Sequence, residues 1–179
     1  MASTLDDFTT GAHDVTINAG LDLAYQTGGM ISGARWTQLI VALNPRNQPA
    51  HLDTGSAFFN VSAGAEQYLR VELGYGWNAL AGAGLPTGVP MDLASLGRAI
   101  RTNFHSADQI VNFNVVAFSM GGWSSHGVNL SAGTNPVSQD FEFTAFTSNG
   151  KEADFTQLTD LVFVFQTFAD FVISSIEVV

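Results

Sequence analysis

The final stretch, TDLVFVFQTFADFVISSIEVV at 159–179, constrains the fold more than any other part of the chain. LVFVF at 161–165 is an unbroken apolar run, too short for a typical helix and the right length for a strand covered on both faces. FVI at 171–173 and IEVV at 176–179 make a second strand, joined to the first by QTFAD at 166–170. A lone pair of apolar strands is not stable in water. Earlier segments have to supply the rest of the sheet.

Those segments are present. Strand-like runs fall at 13–18, 21–27, 35–43, 56–62, 67–75, 96–104, 109–119, 123–131 and 138–146. In the run at 67–75, Leu69, Val71 and Leu73 share one face, and Tyr68, Arg70, Glu72 and Gly74 the other. In the last run, Phe141, Phe143 and Ala145 alternate with Asp140, Glu142 and Thr144, the pattern of a half-buried strand. Breaker-rich stretches separate the runs at 28–33, 44–49, 78–90 and 148–157. A spacing of roughly ten residues between strands predicts an antiparallel all-β sandwich or barrel. No break divides the strands into two complete sets, so residues 1–179 are expected to form one domain. Residues 1–10 form a polar lead, either flexible or able to add to a neighbour's sheet edge.

Composition narrows the function classes. Hydrophobic residues make up 46% of the chain, enough for a substantial core, and the 14 Phe are read as core residues. With only six Lys and Arg and a net charge of −10, the chain is a poor match for nucleic acid. There is no Cys, hence no disulfide and no thiolate metal site. No apolar run reaches transmembrane length. MASTLDDF lacks the basic and apolar regions of a signal peptide, so either the chain is cytoplasmic or a leader has been removed.

Four groups of residues invite a chemical reading. AFSMGG at 117–122 resembles a nucleophile elbow and would make Ser119 a hydrolase nucleophile. The residues after it alternate like a strand instead of opening a helix, and no acid lies between Ser119 and His126, so a hairpin turn is expected. His13, His51, His105 and His126 are too dispersed for a zinc helix. Asp6 and Asp7 precede the first strand and Asp170 opens the last. If those strands are neighbours, the three carboxylates are candidate ligands for a structural calcium, with Asp154 and Asp160 weaker candidates; the alternative is solvated acids at strand ends. Tyr75, Trp77, Asn78 and Trp123, with Trp36, are candidates for a glycan-stacking face, Trp77 standing out in the turn-like GYGWN.

LDDFTTGAHDVTI, QTGGMISGARWTQLIV, YLRVELGYG and the closing ADFTQLTDLVFVFQTFADFVISSIEVV together resemble the β-sandwich region of PEP-CTERM-type bacterial secreted proteins. The resemblance spans nearly the whole chain in short pieces. It implies an antiparallel β-sandwich of jelly-roll type, similar to carbohydrate-binding modules, and an extracellular or cell-surface home. It also implies a structural calcium held by Asp6, Asp7 and Asp170.

The functional expectation is a non-catalytic binding or surface module for glycan or matrix. A self-assembling filament, shell or coat subunit is the alternative, and a serine hydrolase using Ser119 a remote third. The partners expected are therefore a glycan or matrix ligand or further copies of the chain, with neither nucleic acid nor a membrane span.

Overall fold

The computed structural model describes residues 2–76, 90–133 and 136–179. Thirteen strands follow in order: β1 (Ser3–Asp6), β2 (His13–Ile17), β3 (Gly20–Thr27), β4 (Ala34–Leu43), β5 (Ala50–Thr54), β6 (Phe59–Ser62), β7 (Tyr68–Tyr75), β8 (Ala99–Ala107), β9 (Val111–Ser119), β10 (Gly122–Leu130), β11 (Val137–Glu142), β12 (Leu158–Thr167) and β13 (Phe171–Val178). They build two antiparallel sheets packed as a β-sandwich of jelly-roll type. The six-stranded sheet runs β10-β9-β12-β7-β4-β3. The seven-stranded sheet runs β11-β8-β13-β6-β5-β2, with β1 also on β13. Among the described residues no helix is long and apolar enough to cross a membrane.

The two apolar C-terminal strands do not pair with each other. β12 lies in the centre of the six-stranded sheet, between β9 and β7, and β13 in the seven-stranded one. Phe168, Ala169 and Asp170 carry the chain across. Each strand then faces the other through the core, with Phe165 and Phe171 rings 4.9 Å apart. Phe113 stacks on Phe165 at 4.5 Å, and Phe104 meets Phe113 edge-on at 5.6 Å. Each such ring, removed from water, stabilises by about 1.5–3 kcal/mol. This explains why the Phe residues at these alternating positions are fully buried.

Two strands lie where the sequence shows no clear run. AHLDT forms β5, and the polar lead supplies β1. β1 pairs with β13 of its own chain, Ser3 opposite Val178 and Asp6 opposite Ile176. A register shift between Thr4 and Asp6 puts Leu5 and Asp6 both inside. The alternation expected for 138–146 ends at Glu142, where a 3-10 turn (Phe143–Ala145) begins.

Candidate functional site

The outer face of the six-stranded sheet is built by strand register. Tyr25, Trp36, Gly74, Val162, Val116 and Ser125 form one row across all six strands. Leu23, Gln38, Glu72, Val164, Asn114 and Gly127 form the next, and Leu21, Ile40, Arg70, Gln166, Asn112 and Asn129 the third. The first row is mostly apolar, the second mixed, and the third rich in amides.

Gly74 is required by its neighbour. A Cβ there would lie 2.0 Å from Trp36 Nε1, so the indole can rest against the sheet only above a glycine. Trp36 is thereby sunk into the floor, 4% exposed. Beyond this row Trp123 stands opposite Phe118, and Asp160 pairs with Phe118 from the other side. Trp123 and Phe118 are 42% and 38% exposed, an aromatic pair that rises above the sunken Trp36.

Two depressions follow from this relief. One of ≈ 390 Å³ is floored by Trp36, Val116, Val162 and Val164 and bordered by Leu23, Gln38, Arg70, Glu72 and Phe118. The other, of ≈ 430 Å³, is bordered by Asn112, Asn114, Asn129 and Gln166, and shares Arg70, Val116 and Val164 with the first. They are one continuous surface. At its middle Arg70 Nε and Nη2 both donate to Glu72 Oε1 at 2.6 Å. Asn112 Nδ2 donates to Asn129 Oδ1 at 3.2 Å. Burial pushes the Tyr25 phenol and the Asp160 carboxyl above their usual values.

The residues singled out from sequence are distributed differently from the expectation. Trp123 lies on this face. Trp77 and Asn78 fall outside the described residues. Tyr75 does not belong to a binding face: it alternates with Gly74, points into the core, and is 0% exposed. Its hydroxyl donates to Asp6 Oδ2 at 2.9 Å, and burial and that carboxylate hold the phenol well above its usual range.

The three carboxylates expected around a calcium are not brought together. First and last strands are indeed neighbours, but antiparallel pairing sets Asp6 against Ile176. Asp170 lies six residues before Ile176, at the other end of β13 and just ahead of it, about 20 Å away at ~3.3 Å per residue. Asp6 already has a cation: Arg35 Nη1 donates to its Oδ2 at 2.7 Å, while Nη2 donates to the carbonyls of Thr10 and Gly11 and Nε to Gln26 Oε1. Asp6 Oδ1 accepts the Phe8 N–H, so both its oxygens are engaged. The Arg35 guanidinium therefore sits among one carboxylate, one amide oxygen and two backbone carbonyls. Asp7 turns outward, its carboxyl lowered by hydrogen bonds from the Thr9 hydroxyl and N–H. Asp170 accepts the Ala63 N–H at 2.6 Å and closes a loop. Asp154 likewise binds Thr156. Among the described residues no three His, Asp or Glu are placed to hold a metal ion.

Ser119 opens the two-residue β9–β10 hairpin. Its hydroxyl donates to the Gly122 carbonyl and accepts the Asp154 N–H. His126 lies four residues along β10 from the residue opposite Ser119, about 13 Å at ~3.3 Å each. Its ring packs on Phe141 and Phe146, so serine and histidine form no dyad. The remaining histidines stand apart: His13 on Thr37 and Asp22, His51 on Asp14, His105 against Phe58.

The chain matches no protein-family model, and no curated protein matches it in sequence. Among solved structures it is similar to the family 11 carbohydrate-binding module from Clostridium thermocellum in complex with a β-1,3-1,4-mixed-linked tetrasaccharide, at 11% identity and TM-score 0.46, over 99% of this chain and 95% of that one. A family 11 module of a cellulosomal cellulase of Clostridium thermocellum is similar at 10% identity and TM-score 0.45, over 99% and 94%. An exo-beta-agarase is similar at 12% identity and TM-score 0.44, over 97% of this chain and 24% of that one.

Proposed function

We propose that the outer face of the six-stranded sheet is the binding surface of a non-catalytic module for a neutral glycan chain. The observation that carries this reading is the pair of joined depressions, apolar at the floor and lined at the rim by amides and one Arg–Glu pair. A sugar ring has apolar C–H faces and a belt of hydroxyls that both donate and accept. The valine row and the Phe118–Trp123 pair suit the first. Gln38, Asn112, Asn114, Gln166 and the Arg70–Glu72 pair offer donors and acceptors for the second. The charge of Arg70 is offset by Glu72, Asp160 adds a carboxyl beside Phe118, and the chain carries a net −10, so a uronate or sulfated chain would be repelled. The reading keeps the extracellular setting that the sequence resemblance implies.

Affinity electrophoresis in gels containing neutral or anionic polysaccharides tests it. The expected result is retardation by at least one neutral chain and by no anionic one, lost in Trp123→Ala together with Phe118→Ala. Mobility unchanged across a broad neutral panel would overturn the proposal.

A further inference from the structure

We infer that β3 is a docking edge for a second copy of this chain, paired antiparallel about a two-fold axis at Leu23. This goes beyond the glycan reading and does not depend on it. The strands that end the two sheets differ in how they are protected. β2 is five residues long and carries the exposed Asp14, and β11 carries exposed Asp140 and Glu142. On β10 the first half of the edge is covered: the Trp123 N–H reaches the Lys151 carbonyl, and Ser125 and Thr147 exchange both their bonds. Charge, shortness and coverage are the devices by which edges avoid further pairing.

Among the described residues β3 is neither short nor hydrogen-bonded along its open side, and it carries a single charged residue. Its eight residues run in unbroken register with β4 and include no Lys, Arg, Glu or Pro. Its one acid, Asp22, is turned inward to His13 at 3.0 Å. The phase of the ladder is set where the Gly28 N–H donates to the Gly33 carbonyl, one step beyond the Thr27–Ala34 pair. Counting back by twos, Gln26, Ala24 and Asp22 bond to β4. Leu21, Leu23 and Tyr25 therefore direct N–H and C=O away from it. Among the described residues no backbone or side-chain group bonds to these outward amides.

The edge is complementary to itself. With Leu23 opposite its own copy, Leu21 falls opposite Tyr25 on both sides of the axis, giving six main-chain hydrogen bonds between the chains. Leu21, 58% exposed in the single chain, then gains an aromatic neighbour on the outer face. Asp22 falls opposite Ala24, so the two acids do not meet. The product is a continuous twelve-stranded sheet whose two outer faces lie side by side.

Sedimentation velocity of the whole chain over a wide concentration range tests the pairing. The expected result is a species of twice the 19.0 kDa chain mass. Leu23→Lys, which opposes two cations at the axis, should weaken association at least about tenfold. The chain has no cysteine, so Leu23→Cys should form a covalent dimer under mild oxidation, whereas Thr16→Cys on β2 should not. If Leu23→Lys loses its fold by circular dichroism, the cross-linking result decides. A 19.0 kDa species at every concentration, or a dimer that resists Leu23→Lys and fails to cross-link in Leu23→Cys, would overturn the inference.

Discussion

The outer faces of the two sheets are made by the same alternation and differ in how their polar groups are satisfied. On the seven-stranded sheet, charges and amides largely close on one another. Arg101 grips Asp140 with two bonds of 2.7 Å, lowering that carboxyl. His51 meets Asp14, Asn60 meets Asp53, and Asn103, Ser138 and Ser175 form a small network. On the six-stranded sheet an apolar row lies beside side chains with bonding capacity to spare: Val164 stands between Glu72 and Asn114, and among the described residues a single bond, Asn112 to Asn129, joins the amides of the third row. Burying a strand in the middle of a sheet with apolar residues on both faces leaves one face that water wets poorly. The difference teaches that the polar residues of a sandwich surface identify a site by what lies between them, more than by their number.

The largest expected effect tests the tie between the sheets. Asp6 comes from β1 of the seven-stranded sheet, and Arg35 and Tyr75 from β4 and β7 of the other. Asp6→Ala leaves a buried guanidinium without its counter-ion and should cost about 3–5 kcal/mol in chemical denaturation. A loss under about 1 kcal/mol would show that the other acceptors of Arg35 suffice. Next is a paired substitution across the two faces. Arg70→Ala should weaken glycan binding about tenfold or more by removing a charged donor, while Arg101→Ala leaves binding unchanged and, because its pair with Asp140 lies in solvent, changes stability little. Equal effects on binding would erase the distinction between the faces.

The smallest effect concerns Asp160. Burial raises its carboxyl in the fold, so the folded chain holds this proton more tightly than the unfolded one. Stability from this group therefore falls as pH rises from the ordinary carboxylate range through the raised value. Asp160→Asn should flatten that slope and add a few tenths of a kcal/mol at neutral pH, a modest gain because the group is partly in water. Urea melts at pH 4 and pH 7 measure it, and an unchanged slope would assign the pH dependence to other groups.

Much of the sandwich was legible because apolar alternation is a local property. The runs at 67–75 and 109–119 give β7 and β9 with the faces that alternation predicts. The same alternation places Tyr75 with Leu69, Val71 and Leu73, yet the turn-like GYGWN draws attention to it as a surface residue. β5 escapes notice because five residues between Pro49 and Gly55 carry too few apolar side chains to form a run. The destination of Asp6 depends on a bulge and on an arginine 29 positions away. Neither is visible without the pairing. The site face is harder still, since its rows are made of residues from six strands joined only by register.

The place of β13 has a consequence for how the molecule is assembled. It contacts β8 on one side, and β6 and β1 on the other, so the seven-stranded sheet has its middle strand last in sequence. During synthesis the two flanks of that sheet exist with no strand between them, while β12, still to come, is also missing from the centre of the opposite sheet. Central core contacts, among them those of Phe165 with Phe113 and Phe171, then wait for the final twenty residues or so. High contact order of this kind makes folding slow, and until it is complete the chain presents unpaired edges on both sides of two gaps.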